Sequence, residues 1–470
     1  MLDFIIILPL LVVGAGAIAL MLLASMENLS EGSTALVSIG IFAFAFAVQL
    51  MVSVSGNVAP YETAFSGMLT ASTFTKVAGL IILACGLFSC MIAQTYFTQN
   101  KFSSPEFYSL MMFAASGMLL LTMAAELITL FISLEIMSLA IYVLVGYDRS
   151  RIKRSEAVLK YLMLGAFAGA FFTMGAALIY GGAGSTRFAL ISKYLATNSF
   201  LESPVLVAGT LLVIVAFLFK VAAFPFHAWV VDVYDGAPLP VTGFMATGVK
   251  TAIFAVFANF IVLDNGMKGV WVDYLFYVAV FTMFAGNLIA IGQNNLKRML
   301  AASGIVHSGY LIIALVAVGT ENFTGGVIIF YLAAYAAATL GVFTALAYLG
   351  GTDERRDSFD DFKGLAKVRP YTAAAITIFM LSMAGIPPTA GFMGKFYIIT
   401  DAIRADQMLL AVLGIVSSIL SMWYYLRLVI MMYFKEPEES FEVSGVSLAP
   451  VGTMILAVSV FAIGFYPVFL

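Results

Sequence analysis

The chain has 470 residues, 62% of them hydrophobic and only 10% charged, with a mean hydropathy of +1.03. Soluble domains carry about 25% charged residues, so this composition excludes a soluble globular protein and points to a polytopic membrane protein. The formal net charge of −3 excludes little, because orientation in a bilayer follows where Lys and Arg lie rather than their sum.

A membrane-spanning helix needs about 20 apolar residues at a rise of about 1.5 Å each. Runs of that length between polar or Gly/Pro punctuation predict fourteen spans: 4–23, 34–53, 74–96, 106–124, 126–147, 156–181, 204–227, 240–263, 271–291, 303–319, 323–349, 372–399, 407–434 and 447–468. The first run lacks a basic leader, so it reads as a span rather than a cleaved signal. Only Ala125 and Glu126 separate the fourth and fifth.

Basic residues test this order. Arg149, Arg151, Lys153 and Arg154 follow the fifth span, Lys297 and Arg298 the ninth, and Arg355, Arg356, Lys363, Lys367 and Arg369 the eleventh. With Lys101 and Lys435, one face holds thirteen of the 23 Lys and Arg, and the other holds five (Lys76, Arg187, Lys193, Lys268 and Arg404). The positive-inside rule then places both termini on the periplasmic side of a cell inner (plasma) membrane.

The seventh and twelfth spans each contain prolines, Pro225 in AAFPFHAW and Pro387 with Pro388 in AGIPPTAGF. Proline removes a donor and frees the carbonyl four residues back, which in lipid must find another partner. The two broken spans are an odd number apart and therefore run antiparallel. An all-α fold with two inverted five-helix repeats is expected: residues 1–105 with three spans, 106–264 and 265–434 as the repeats, and 435–470 with the last span. Broken helices in inverted repeats point to an ion or substrate path.

Five basic residues, Lys160, Lys220, Lys250, Lys395 and Arg427, and one acid, Glu135, fall inside spans. A charge at a helix centre costs roughly 2.5–3.5 kcal/mol on insertion scales. Lysines near a helix end escape this cost by snorkelling. Lys250 sits about eleven residues into its span, roughly 16 Å deep, beyond the reach of its stem. Lys220 is similarly deep and adjoins a break, whereas Lys160 is close enough to an end for snorkelling or for function. Arg427 stays protonated, so it orients or repels charge but carries no proton. Glu126 lies nine residues before Glu135, on the opposite helix face, and reads as an interfacial carboxylate.

His227 and His307, the only histidines, suit relay near neutral pH; a hydrogen-bonded structural role is the alternative for each. Tyr310 is a water-wire donor or a packing residue. The GxxxG at Gly165–Gly169 reads as a helix-packing face. DVYDGAP and ERRDSFDDFKGLAKVRP have the composition of solvated loops; Asp232 reads as a surface-turn residue, with part of a proton entrance as the alternative. Cys85 and Cys90 match no haem, Fe–S or zinc spacing, and no nucleotide-binding glycine pattern occurs in a strand–helix context.

Together LEIMSLAIYVLVGY, EAVLKYLMLGAFAGAFF, LIYGGAGSTRF, FKVAAFPFHAWVVDVYDGAPLPVTGF with VK, LKRMLAASGIVHSGYL, AGIPPTAGFMGKFY and YYLRLVI resemble the antiporter-like membrane subunits of complex I, the proton-pumping NADH:quinone oxidoreductase. Among them the chain is most similar to the N subunit. The M and L subunits read closer to LPDA where this chain has VVDVYDGAP, the M subunit is expected to carry a glutamate at position 395, and the long lateral helix of the L subunit is not expected here. The segment FSGMLTASTFTK, Glu126 and the Ala338–Thr339 step depart from the family pattern.

The resemblance implies proton translocation through Glu135, Lys220, Lys250 and Lys395, with Lys160, His227, Tyr310 and His307 as accessory groups. It implies no cofactor or metal in this chain; FMN, Fe–S clusters and quinone are expected in partner subunits. The implied partners are the M, L and small K/J/A-type membrane subunits and the lipid bilayer, with no nucleic acid. An Mrp-type monovalent cation/proton antiporter subunit is the alternative.

Overall fold

The computed structural model describes residues 2–25, 30–54, 61–100, 105–148, 152–262, 268–317, 325–351, 354–438 and 447–466. Lys101, Arg149 and Arg151, which enter the charge argument, lie outside the described residues.

The helices are α1 (Leu2–Ile6), α2 (Leu8–Ala24), α3 (Glu31–Val54), α4 (Thr73–Asn100), α5 (Pro105–Met123), α6 (Leu127–Val145), α7 (Ile152–Ala183), α8 (Phe188–Leu195), α9 (Pro204–Lys220), α10 (Val230–Gly236), α11 (Leu239–Phe244), α12 (Lys250–Val262), α13 (Lys268–Ile291), α14 (Leu296–Val316), α15 (Gly326–Leu349), α16 (Leu365–Val368), α17 (Pro370–Ala384), α18 (Ala390–Arg404), α19 (Met408–Phe434) and α20 (Ala449–Phe465). Each of the predicted spans overlaps at least one of them. Among the described residues ten helical stretches are long and apolar enough to cross a membrane, and four shorter apolar helices begin at Leu8, Pro204, Pro370 and Ala449. Two of these four, α9 and α17, are short because the chain breaks at the prolines.

Proximity in sequence becomes proximity in space: α3 packs on α4, α5 on α6, and α13 on α14, while α7 lies along α9. The centre of the molecule is α14, buried along its whole length. The outer faces of α6, α7 and α19 carry exposed Ile136, Leu139, Phe167, Met174, Ile419 and Trp423, as expected where the surrounding medium is hydrocarbon.

The sequence reading does not contain the short helices α8, α10 and α16, which lie between predicted spans, nor a β-hairpin. Residues 61–72 form an antiparallel hairpin of β1 (Tyr61–Ala64) and β2 (Leu69–Ser72), pairing Tyr61 with Ser72 and Ala64 with Leu69. Its turn has positive φ at Phe65, Ser66 and Gly67. Met68 O accepts from Ala125 N at 2.9 Å, which ties the hairpin to the short link between α5 and α6.

Candidate functional site

The site starts at the first break. Pro225 withdraws a donor from Val221 O, and Ser308 Oγ on α14 donates to that carbonyl at 2.7 Å instead. Trp229 Nε1 donates to Phe219 O at 3.1 Å, and its indole stacks on both Phe219 and Tyr161. Lys220, the last residue of α9, is held at this half-helix end, where the helix dipole favours a cation. Its ammonium donates to Ser138 Oγ at 2.7 Å and Tyr142 Oη at 3.4 Å, both on α6.

Glu135 is one turn from Ser138 on the same stripe of α6, half-buried against α7. It makes no hydrogen bond or ion pair among the described residues. The expected Glu135–Lys220 pair is therefore not a direct contact; the Lys220 ammonium bonds to the Ser138 and Tyr142 hydroxyls of the same helix instead.

Lys250 opens α12 directly after a π-helical turn, Met245–Val249, itself entirely buried. Such turns recur at functional sites. The Lys250 ammonium donates to Gly304 O on α14 at 2.5 Å and stands 4.8 Å from the Tyr335 ring centroid. Lys220 and Lys250 line one cavity, together with Tyr161, Trp229, Met245 and Gly304. It is small, with room for about one water.

The second break is answered differently from the first. Pro387 and Pro388 free Met383 O and Ala384 O, and Lys395 Nζ donates to both, at 2.9 and 3.0 Å. A third bond goes to Ser418 Oγ at 3.0 Å. Gly385 ends α17 with φ +84°, and a Cβ there would stand 2.9 Å from Lys395 Cδ, so glycine suits the position twice over. Lys220 precedes its break in the chain and Lys395 follows its own, so the two lysines are not matched residue for residue.

Between Lys250 and Lys395 lies His307. Its Nδ1 is 2.7 Å from Tyr331 Oη and its Nε2 is 3.1 Å from Tyr425 Oη. Its ring is 4.7 Å from Tyr335, the ring that Lys250 faces, and 6.4 Å from Tyr310, the ring that Lys395 faces at 5.0 Å. Tyr310 Oη donates to Gly414 O at 3.0 Å. The structure thus brings Lys220, Lys250, His307, Tyr310 and Lys395 into one buried row.

Lys160 and His227 lie outside that row. Lys160 pairs with Glu156 and Asp232, both at 2.7 Å, and Asp232 also pairs with Arg298 at 3.1 Å. Lys160, opposed in part by burial and joined by Arg298, holds the Asp232 carboxyl below the usual carboxylate range. Asp232 thus stands on the short helix α10 rather than in a turn, and, still partly exposed, links α7, α10 and α14. The second polar loop is corrected likewise at Glu354: its buried carboxylate accepts from Lys297 Nζ at 2.8 Å and from Leu239 N, at the start of α11, at 2.8 Å. His227 stacks on Phe224, and its Nδ1 has no hydrogen-bond partner among the described residues. Arg427 binds Gln293 O and Asn294 Oδ1 and covers the Phe359 ring, a structural clasp on the 292–295 turn.

Glu126 is a helix-end residue as expected, N-terminal to α6, but it is buried, with Thr129 Oγ1 donating to it at 2.8 Å. Sequence reading missed Ser138, Tyr142, Ser308, Tyr331, Tyr335 and Tyr425. The signals available were weak: Ser138 and Tyr142 follow Glu135 by three and seven residues, and Tyr331 and Tyr335 are a turn apart.

The fold and this row of buried basic residues define a polytopic, antiporter-like membrane subunit. Residues 124–421 match the family described as NADH:quinone oxidoreductase/Mrp antiporter, transmembrane; the chain belongs to this family, in its subunit N branch. It is 40% identical over 395 residues to the NADH-quinone oxidoreductase subunit N of Trichlorobacter lovleyi, covering 84% of this chain and 80% of that one. Against subunit N 1 of Herpetosiphon aurantiacus the identity is 38% over 442 residues, covering 92% and 87%. A chain of respiratory complex I from Thermus thermophilus superposes with a TM-score of 0.83 at 32% identity, covering 98% of this chain and 97% of that one. A chain of the Mrp complex from Dietzia shares the fold, with a TM-score of 0.80 at 20% identity, covering 97% and 94%.

Proposed function

We propose that this chain moves protons as the subunit N of an NADH:quinone oxidoreductase, through Glu135, Lys220, Lys250 and Lys395. His307 and Tyr310 assist inside the row; outside it, Lys160 assists through its ion pairs with Glu156 and Asp232, and His227 as a gate beside the first break. The observation that carries this reading is the buried row, in which every ammonium meets only neutral oxygens and aromatic faces. Such charges are costly in a membrane interior and are kept where they serve transport.

Glu135, when charged, stabilises the Lys220 ammonium through space. When a neighbouring subunit draws that carboxylate away, the buried ammonium loses its compensation and gives up its proton. The proton crosses the small cavity to Lys250 and passes to His307, whose two ring nitrogens can take up and release a proton on opposite sides. Lys395 receives it and releases it beyond the second break. Lysine suits each step because it is neutralised when desolvated, which arginine is not.

Two inverted five-helix units, 106–264 and 265–434, within fourteen spans are the proposed frame. FMN, Fe–S clusters and quinone belong to partner subunits in this reading, and the antiporter-like M and L and small K/J/A-type subunits are the proposed neighbours. The location is the inner membrane with both termini periplasmic, which reporter fusions at each end would check.

The deciding experiment is Lys220→Ala in the assembled complex, reconstituted in vesicles. Proton uptake per electron should fall severely while native gels show the complex intact; wild-type uptake would overturn the reading. Measuring Na⁺/H⁺ exchange by the same vesicles without an electron donor separates it from an Mrp-type antiporter.

A further inference from the structure

Glycines on α7 meet their neighbours in two different ways. Gly175 faces backbone: a Cβ there would stand 2.6 Å from Gly209 O on α9. That is the close helix approach expected of small residues in membranes. Gly165 and Gly169 instead face the polar ends of side chains on α6. A Cβ at Gly165 would overlap the Tyr142 hydroxyl, and one at Gly169 would stand 3.2 Å from Glu135 Oε1. Tyr142 is one of the two hydroxyls to which Lys220 donates, and Glu135, Ser138 and Tyr142 recur three and seven residues apart, along one stripe of α6.

We propose that Gly165 and Gly169 are positioning residues that seat the Tyr142 hydroxyl and the Glu135 carboxylate against α7, within range of Lys220. The GxxxG at this point is a slot for two polar side chains rather than a backbone contact. Added bulk in the slot swings the hydroxyl and the carboxylate away from α7 and changes how Lys220 is held. The inference rests on the proposed participation of Glu135 and Lys220 in proton transfer.

The test uses the whole complex in vesicles, with proton uptake per electron measured across pH and assembly followed on native gels. Gly165→Ala should lower uptake about threefold or more and shift its pH profile, and the loss should not add to that of Tyr142→Phe, because the Lys220-binding hydroxyl that the methyl displaces is already gone in that variant. Losses that multiply in the double variant would assign the glycine to helix packing and overturn the proposal. If Gly165→Ala fails to assemble, the milder Gly169→Ala decides: a shifted pH profile supports the proposal, and a wild-type profile overturns it. Glu135→Gln and Lys220→Ala run alongside. Wild-type uptake in these two would defeat the underlying reading itself, whereas their failure with multiplying glycine losses would defeat only the slot.

Discussion

Lys395 has two separable jobs, and substitutions distinguish them. Its ammonium caps Met383 O and Ala384 O, which Pro387 and Pro388 leave without helical donors, and it bonds to Ser418 Oγ. Lys395→Met removes all three bonds. Ser418 Oγ still reaches Ala384 O at 3.3 Å, so one carbonyl, that of Met383, is orphaned outright. A buried acceptor without a donor costs about 1–3 kcal/mol, so the Met variant should be destabilised by about that much and should not pump. Lys395→Arg keeps several N–H donors and should melt closer to the wild type, yet it holds its proton and should not pump either. Lys395→Glu, protonated beside the carbonyls, supplies one O–H donor and an exchangeable proton, and should retain part of the pumping. Proton uptake per electron, thermal melting of the purified complex and native gels measure all three variants. If Arg pumps as the wild type does, position 395 supplies a fixed charge and cap, and the exit step lies elsewhere. If Met melts as the wild type does, the capping argument is wrong.

Glu135→Gln and Lys220→Ala should be non-additive in pumping, since both act on one step; full additivity would separate them. Ser308→Ala should destabilise the chain by about 0.5–2 kcal/mol, seen in melting, because Val221 O loses the donor that replaces the one missing at Pro225. His307→Phe should stop uptake while leaving assembly intact, as it removes both ring nitrogens from the Tyr331 and Tyr425 hydroxyls. Asp232→Asn should loosen the link between α7, α10 and α14, with a difference from the wild type that shrinks in high salt. Because the folded Asp232 carboxyl is depressed, its contribution is present above the ordinary carboxylate range, near pH 4, and is lost as pH falls further; a melting series from pH 7 to 3 reads this.

Much of the molecule was legible in the chain because the controlling physics is local. A run of about 20 apolar residues must be a helix in lipid, whatever surrounds it, and every predicted run overlaps a helix, while the short α8, α10 and α16 lie outside the runs. Prolines broke α9 and α17 because a missing N–H is a property of one residue. Lys220 and Lys250 stood out because they lie well inside apolar runs, and Lys395 because it adjoins a proline break; all three side chains are buried. What answers those local demands is decided between helices, by contacts such as Ser308 with Val221, 87 residues apart in the chain. Nothing near Pro225 indicates that Ser308 would satisfy Val221 O, while at Pro387 and Pro388 the lysine itself does so. His307 had no sequence signal to distinguish relay from core, and only the packing of α14, α15 and α19 surrounds it with tyrosines. Glu135 read as a partner of Lys220, yet the ammonium bonds instead to Ser138 and Tyr142, which follow it on α6. The glycine pair looked like any packing face, since spacing records which side of a helix is small but not what the neighbouring helix places there.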